Sequence, residues 1–160
     1  MGINLAYNFK LVQGIQPRTT NGGFTSDVIS LKNYKKATII VELTQAVGHA
    51  TAFTLNQYDA VGGTGKALTG DVLIWANEDT ATNDTLVRKT DAKAYTVAAD
   101  VKNKTIIFEV EPSIALDLAN NYDCIALVVA NSGQATNFVS ITFVLEPRYM
   151  QATPPSAIVD

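Results

Sequence analysis

The sequence predicts an all-β fold: an antiparallel β-sandwich, jelly-roll-like, with one short helix and extended terminal arms. Three observations carry this. Apolar residues recur with a period of two, as in Ala37, Ile39, Val41 and Leu43 or in Ile106, Phe108 and Val110, so one face of each such strand points to a core. Turn-forming clusters such as Asn21-Gly22-Gly23 and Asn131-Ser132-Gly133 interrupt these runs at close spacing, the punctuation of a sandwich. Only residues 114–119 read as helix, limited to about two turns by Pro112 before them and Asn120-Asn121 after them.

Taken in order, residues 3–11 set Ile3, Leu5, Tyr7, Phe9 and Leu11 against Asn4, Ala6, Asn8 and Lys10. They predict a half-buried strand beginning almost at the first residue. Residues 24–31 resume a strand pattern after the glycine turn. Asn33-Tyr34-Lys35-Lys36 is polar and precedes the strand of residues 37–43. Residues 51–58 place Phe53 and Leu55 on one face, with Thr54 and Asn56 on the other. Shorter strands follow at 72–76, which carries the single tryptophan Trp75, at 86–90 and at 95–98, then a firm one at 105–110. Residues 122–145 predict a β-hairpin with a loop longer than two residues. Its second run alternates Val139, Ile141, Phe143 and Leu145 against Phe138, Ser140, Thr142 and Val144. Its first run is apolar on both faces, Ile125, Leu127 and Val129 on one and Cys124, Ala126, Val128 and Ala130 on the other. A strand without a polar face belongs inside a sheet. The Cys124 face is therefore expected to be covered by a terminal segment or a partner subunit.

A chain of 160 residues makes one domain with a sizeable core, and neither an internal repeat nor a linker divides it. The domain is expected to span 1–149, with 150–160 an extended C-terminal arm separable from it. Three prolines between Pro147 and Pro155 favour a polyproline-like course. Tyr149, Met150, Ile158 and Val159 lie at the ends of this stretch, with Pro154 and Pro155 between them. That layout suits a strap joining two weak contacts through a stiff spacer. Arg148, Tyr149, Met150, Pro154, Pro155, Ile158 and Val159 are the candidate assembly contacts. Charged residues make up 17%, below the usual quarter or so; such a surface either packs against other molecules or is built from Thr and Asn. A net charge of −3, without clustered Lys and Arg among aromatics, excludes nucleic acid as a partner.

Catalytic chemistry finds no foothold in the sequence. His49 is the only histidine, with no second His or Cys for zinc and no G-x-S-x-G for a triad. Cys124, the single cysteine, reads as a small buried side chain within its strand. Gly63-Thr64-Gly65-Lys66-Ala67 falls short of a phosphate loop, because Ala60 and Ala67 stand where Gly and Ser or Thr are needed. Residues 62–66 are expected to be a mobile surface loop. Glu78, Asp79 and Asp84 lack the spacing and closing Glu of a calcium loop. The expectation is a protein that is not an enzyme and needs no cofactor or metal. No basic and apolar leader opens the sequence and no apolar run is long enough for a membrane span, so synthesis in the cytoplasm without membrane insertion is expected.

Four segments carry a resemblance. They are Ser30-Leu31-Lys32-Asn33-Tyr34, Gly63-Thr64-Gly65-Lys66-Ala67-Leu68, Leu116-Asp117-Leu118 before Tyr122-Asp123-Cys124, and Arg148-Tyr149 with Pro154-Pro155. Together the chain resembles small virion proteins encoded beside the major capsid gene in tailed bacteriophages, of the head-decoration or cement type. The resemblance covers nearly the whole chain. It implies a non-enzymatic β-sandwich made in the host cytoplasm and residing on the capsid surface. Its partners would be the major capsid protein and its own copies, with a trimer as the first guess. Cement works by mass action, binding the assembled shell in preference to free subunits. Two other functions stay open: a tail or head–tail connector component, and a carbohydrate- or receptor-binding module. The latter needs exposed aromatics on a groove, for which Trp75, Tyr58 and Tyr95 are the candidates.

Overall fold

The computed structural model describes residues 4–150 and 156–158. A one-turn helix α1 (Leu5–Asn8) leads into β1 (Lys10–Thr19), β2 (Phe24–Thr25) and β3 (Ile29–Ser30). Then come β4 (Tyr34–Thr44), β5 (Ala52–Tyr58), β6 (Gly65–Ala67), β7 (Leu73–Asn77) and β8 (Val87–Arg88). The chain continues with β9 (Ala94–Thr96), β10 (Asn103–Val110), α2 (Pro112–Ala115) and a 3-10 turn at Leu118–Asn120. It closes with β11 (Cys124–Val129) and β12 (Phe138–Pro147). One sheet has the order β1-β12-β4-β10-β7-β8; the other runs β2-β11-β5-β6, with β3 also on β11 and β9 also on β5. Strand partners are antiparallel throughout. The two sheets form the antiparallel β-sandwich that the alternation predicted.

The core lies where the period of two put it. In the first sheet Phe143, Ile39, Phe108 and Ile74 stand opposite one another across four adjacent strands, and none has any solvent exposure. Facing them, Phe53 and Leu55 of β5 and Ile125, Leu127 and Val129 of β11 are equally buried. Each large side chain so buried stabilises the fold by about 1.5–3 kcal/mol. Gly14 in β1 is a packing requirement of this core, since a Cβ there would run into the Phe143 ring.

Several expectations need correcting. Residues 3–11 do not form a strand: Ile3 lies outside the described residues, and Leu5–Asn8 is a helix capped by Asn4, whose Oδ1 accepts from Tyr7 N at 3.3 Å. An Asn at an N-cap competes with strand pairing by bonding its own backbone. The strand starts at Lys10 instead. The expected hairpin of residues 122–145 is a crossover, because β11 and β12 belong to different sheets. Its β11 is nonetheless an interior strand, flanked by β2 and β3 on one side and β5 on the other. Residues 34–36 extend β4 instead of turning, with Tyr34 fully buried. The helix arrives two residues early, at Pro112–Ala115. The Cys124 face is closed only in its first half, Val128 and Ala130 being half-buried. Cys124 and Ala126 are unexposed within the one chain, flanked across the sheet by the longer Tyr58 and Asn56.

The end of the sandwich where β4 finishes and β10 begins is closed by two buried polar brackets. Asn137, unexposed, accepts from Val47 N at 2.8 Å and donates to Val47 O at 2.7 Å, pinning the loop after β4 to the start of β12. Lys104, whose side chain is also unexposed, sets its Nζ 2.7 Å from Glu78 Oε2, 2.7 Å from Ala98 O, and against Asp100 Oδ1. The Tyr95 hydroxyl donates to Glu78 Oε1 at 2.6 Å; burial and that carboxylate push its pKa well above the phenol range.

Three carboxylates are held below the ordinary range by ammonium partners: Asp79 by Lys102, Asp100 by Lys104 and Asp117 by Lys66. A depressed folded pKa contributes stability above the unfolded value, 3.8 here, and that stability is lost as pH falls through the folded value. Thermal scans across pH should therefore show a level midpoint from neutrality to about pH 5 and a progressive fall below pH 4. A midpoint unchanged at pH 3 would contradict this.

Candidate assembly surface

The residues before β1 and those just after β12 meet at one edge of the first sheet. Lys10 of β1 stands opposite Leu145 of β12, which places α1 beside the residues that follow β12. A cleft of about 300 Å³ lies between them, lined by Asn8, Phe9, Lys35, Pro147, Arg148 and Met150 and closed by the Lys35–Glu146 ion pair at 2.8 Å. Met150 in its lining is 57% exposed, and on the same two segments Leu5 is 51% exposed, Tyr7 64% and Tyr149 78%, with Leu11 of β1 at 45%. So much exposed apolar surface from two segments of one chain is what an interaction site presents.

Strand addition is not how this edge would act. β1 is the last strand of its sheet, yet its pairing register with β12 shifts between Gln13 and Ile15 and again between Ile15 and Arg18. Pro17 within it lacks a donor. Bulges and proline are how edge strands avoid pairing with another chain.

Of the residues singled out from sequence, Arg148 and Met150 line the cleft and Tyr149 projects beside them. Pro154, Pro155 and Val159 lie outside the described residues. Ile158 is 47% exposed. The neighbouring Ala157, not singled out, is 1% exposed and belongs to the core, and its carbonyl accepts from Ser30 N at 2.7 Å. Arg148 N donates to Asn33 O at 2.9 Å. The chain after β12 thus leans on the 30–33 corner at both of these points, and at Ala157 it is back in the domain. Leu5 and Tyr7 were missed as surface residues because their alternation read as a strand. An Asn one residue before a four-residue run was the signal available.

The same folding brings the other two resemblance segments together. Lys66 Nζ lies 2.6 Å from Asp117 Oδ2 and 3.8 Å from the centre of the Tyr122 ring. Gln57 ties both sides, accepting from Asp117 N at 2.7 Å and donating to Ala67 O at 2.7 Å. Lys66 is therefore a strut within β6, and the expected mobile loop is corrected: Gly65–Ala67 pairs with β5, and Thr64 N donates to Asp59 Oδ1 at 2.7 Å.

The three aromatics weighed for a binding groove stand apart. Trp75 is half-buried near the Arg88 guanidinium, 5.6 Å from the ring centre. Tyr58 and Tyr95 are half-buried in the other sheet. Among the described residues, no helix is long and apolar enough to cross a membrane.

No protein-family model matches the chain, and no curated protein is similar to it in sequence. Among solved structures, the crystal structure of SPBc2 prophage-derived protein YomS is similar over 86% of this chain and 91% of that one, with a TM-score of 0.49 and 7% identity. A likeness of that degree fixes no role.

Proposed function

We propose that the protein is a non-enzymatic structural component of a phage virion, and specifically a capsid decoration protein acting as a homo-oligomer on the head. The observation that supports an assembling role is the exposure of Leu5, Tyr7, Tyr149 and Met150 on the two segments that meet at the cleft beside β1 and β12. The capsid follows from the resemblance of the four segments, which pair in the fold as Ser30–Asn33 with the C-terminal chain and Lys66 with Asp117 and Tyr122. Because the β1 edge is blocked, the partner is met by side chains, whose aromatic members contribute most at such interfaces.

The test is a double variant, Tyr7→Ser with Tyr149→Ser. Light scattering on the full chain should give a multiple of 17.1 kDa, with self-association weakened about ten-fold or more in the variant. Co-sedimentation with heads assembled from the major capsid protein of a phage that encodes this chain should fall in parallel. The thermal midpoint should move by no more than about 2 °C, as for surface substitutions generally. A wild-type chain that is monomeric and stays off such heads would overturn the proposal.

A further inference from the structure

On the outer face of the first sheet, away from the chain ends, lies a second cleft of about 320 Å³. The strand register builds it. Phe138, Thr44 and Asn103 form one cross-strand row, and Ser140, Glu42 and Thr105 form the next. Phe138 is 48% exposed at one end of the cleft, and Thr80 lies at the other. From Thr80 and Thr105 a further trough of about 290 Å³ continues past Asn83 and Asp84. The groove thus runs across β12, β4, β10 and β7, roughly 14 Å at ordinary strand spacing.

Its chemistry narrows the ligand. Glu42 Oε2 accepts from Thr105 Oγ1 at 3.0 Å, while Glu42 Oε1, the Thr44 and Ser140 hydroxyls and the Asn103 amide have no protein partner among the described residues. No Lys or Arg lines either part, so phosphate and sulfate find no cation there. The strand backbones beneath are already paired within the sheet, leaving a peptide no edge to extend. An exposed aromatic ring beside open carboxylate, amide and hydroxyl groups instead matches a pyranose, which offers an apolar C–H face and a rim of hydroxyls that both donate and accept. We infer that this groove binds a neutral oligosaccharide, with Phe138 stacking on one sugar ring while Glu42 and Asn103 hold its hydroxyls. The site is independent of the assembly surface.

The test is titration of the ¹⁵N-labelled full chain with maltohexaose, mannohexaose and N-acetylchitohexaose, each to about 10 mM, which saturates a millimolar site. Amides of Thr44, Asn103, Thr105, Phe138 and Ser140 should shift with at least one of the three. Phe138→Ala and Glu42→Gln should each weaken that binding about ten-fold with the thermal midpoint unchanged. Both are exposed residues, so the variants fold. Silence of these amides with all three sugars would overturn the inference. So would shifts elsewhere, or binding that both variants retain.

Discussion

Replacing Lys104 by methionine should lower the thermal midpoint by about 10 °C. The Lys104 side chain has no exposure, and its ammonium is the shared donor to Glu78, Asp100 and the Ala98 carbonyl. Its removal takes away the cation that Glu78 and Asp100 share, leaving Asp100 with Lys102 Nζ at 3.5 Å and Glu78 with the Tyr95 hydroxyl at 2.6 Å. Breaking a buried ion pair from one side costs about 3–5 kcal/mol. Glu78 and Asp100 keep 25% and 37% exposure, so water relieves part of the loss and about 3 kcal/mol is expected. The pH dependence makes the test specific. Lys104 holds the Asp100 carboxyl below the ordinary range, a stabilisation that wild type itself loses as pH falls below about 4, so the gap between the two proteins should narrow there. A gap that stays constant from about pH 7 to about pH 2.5 would mean that the loss comes from the hydrogen bond to Ala98 O and not from the ion pairs.

That cluster also shows what sequence could convey. Strands with an unbroken alternation, such as Ala37 to Leu43 in β4 and Ile106 to Val110 in β10, were legible because each inward residue meets the core. β1 was misplaced because its own pattern is broken by Gly14 and Pro17, where it bulges, while the cleaner alternation before it belongs to a capped helix turn. The hairpin reading failed for a different reason. Two apolar runs around a turn look alike whether they pair or cross between sheets; the difference rests on brackets such as Asn137 to Val47, 90 residues apart. Surfaces were less legible still. Glu42, Thr105 and Ser140 meet only through lateral register, which no local window records. Phe138 read as merely the outward face of its strand. Of the candidate contacts, Tyr149 and Met150 stood out as aromatic or apolar residues shortly after a proline, and Arg148 as part of the Arg148-Tyr149 segment. Ala157 could not, because nothing about an alanine announces burial.

A chain ended after Met150 should fold and melt about 5 °C below the full chain. Sequence alone pointed to an arm whose loss the domain would not feel. The structure instead puts Ala157 in the core with 1% exposure and gives its carbonyl to Ser30 N, on a residue itself only 6% exposed. Truncation leaves that N–H without its acceptor, at about 1–3 kcal/mol, and uncovers the apolar contact of the alanine methyl, worth about 0.8 kcal/mol. A loss of about 2 kcal/mol corresponds to about 5 °C in a domain of this size. Because the truncated chain keeps Tyr7, Tyr149 and Met150, its self-association at 25 °C should change little, which separates the anchor at Ala157 from the contacts around the cleft. Ala157→Asp in the full chain isolates the anchor further: it retains the carbonyl and the arm but forces a carboxylate into the core, and should destabilise at least as much as truncation. If both variants melt with the wild type, Ala157 does not hold the arm. If truncation leaves stability intact but abolishes self-association, the arm is a tether to a neighbour and not a brace of its own domain.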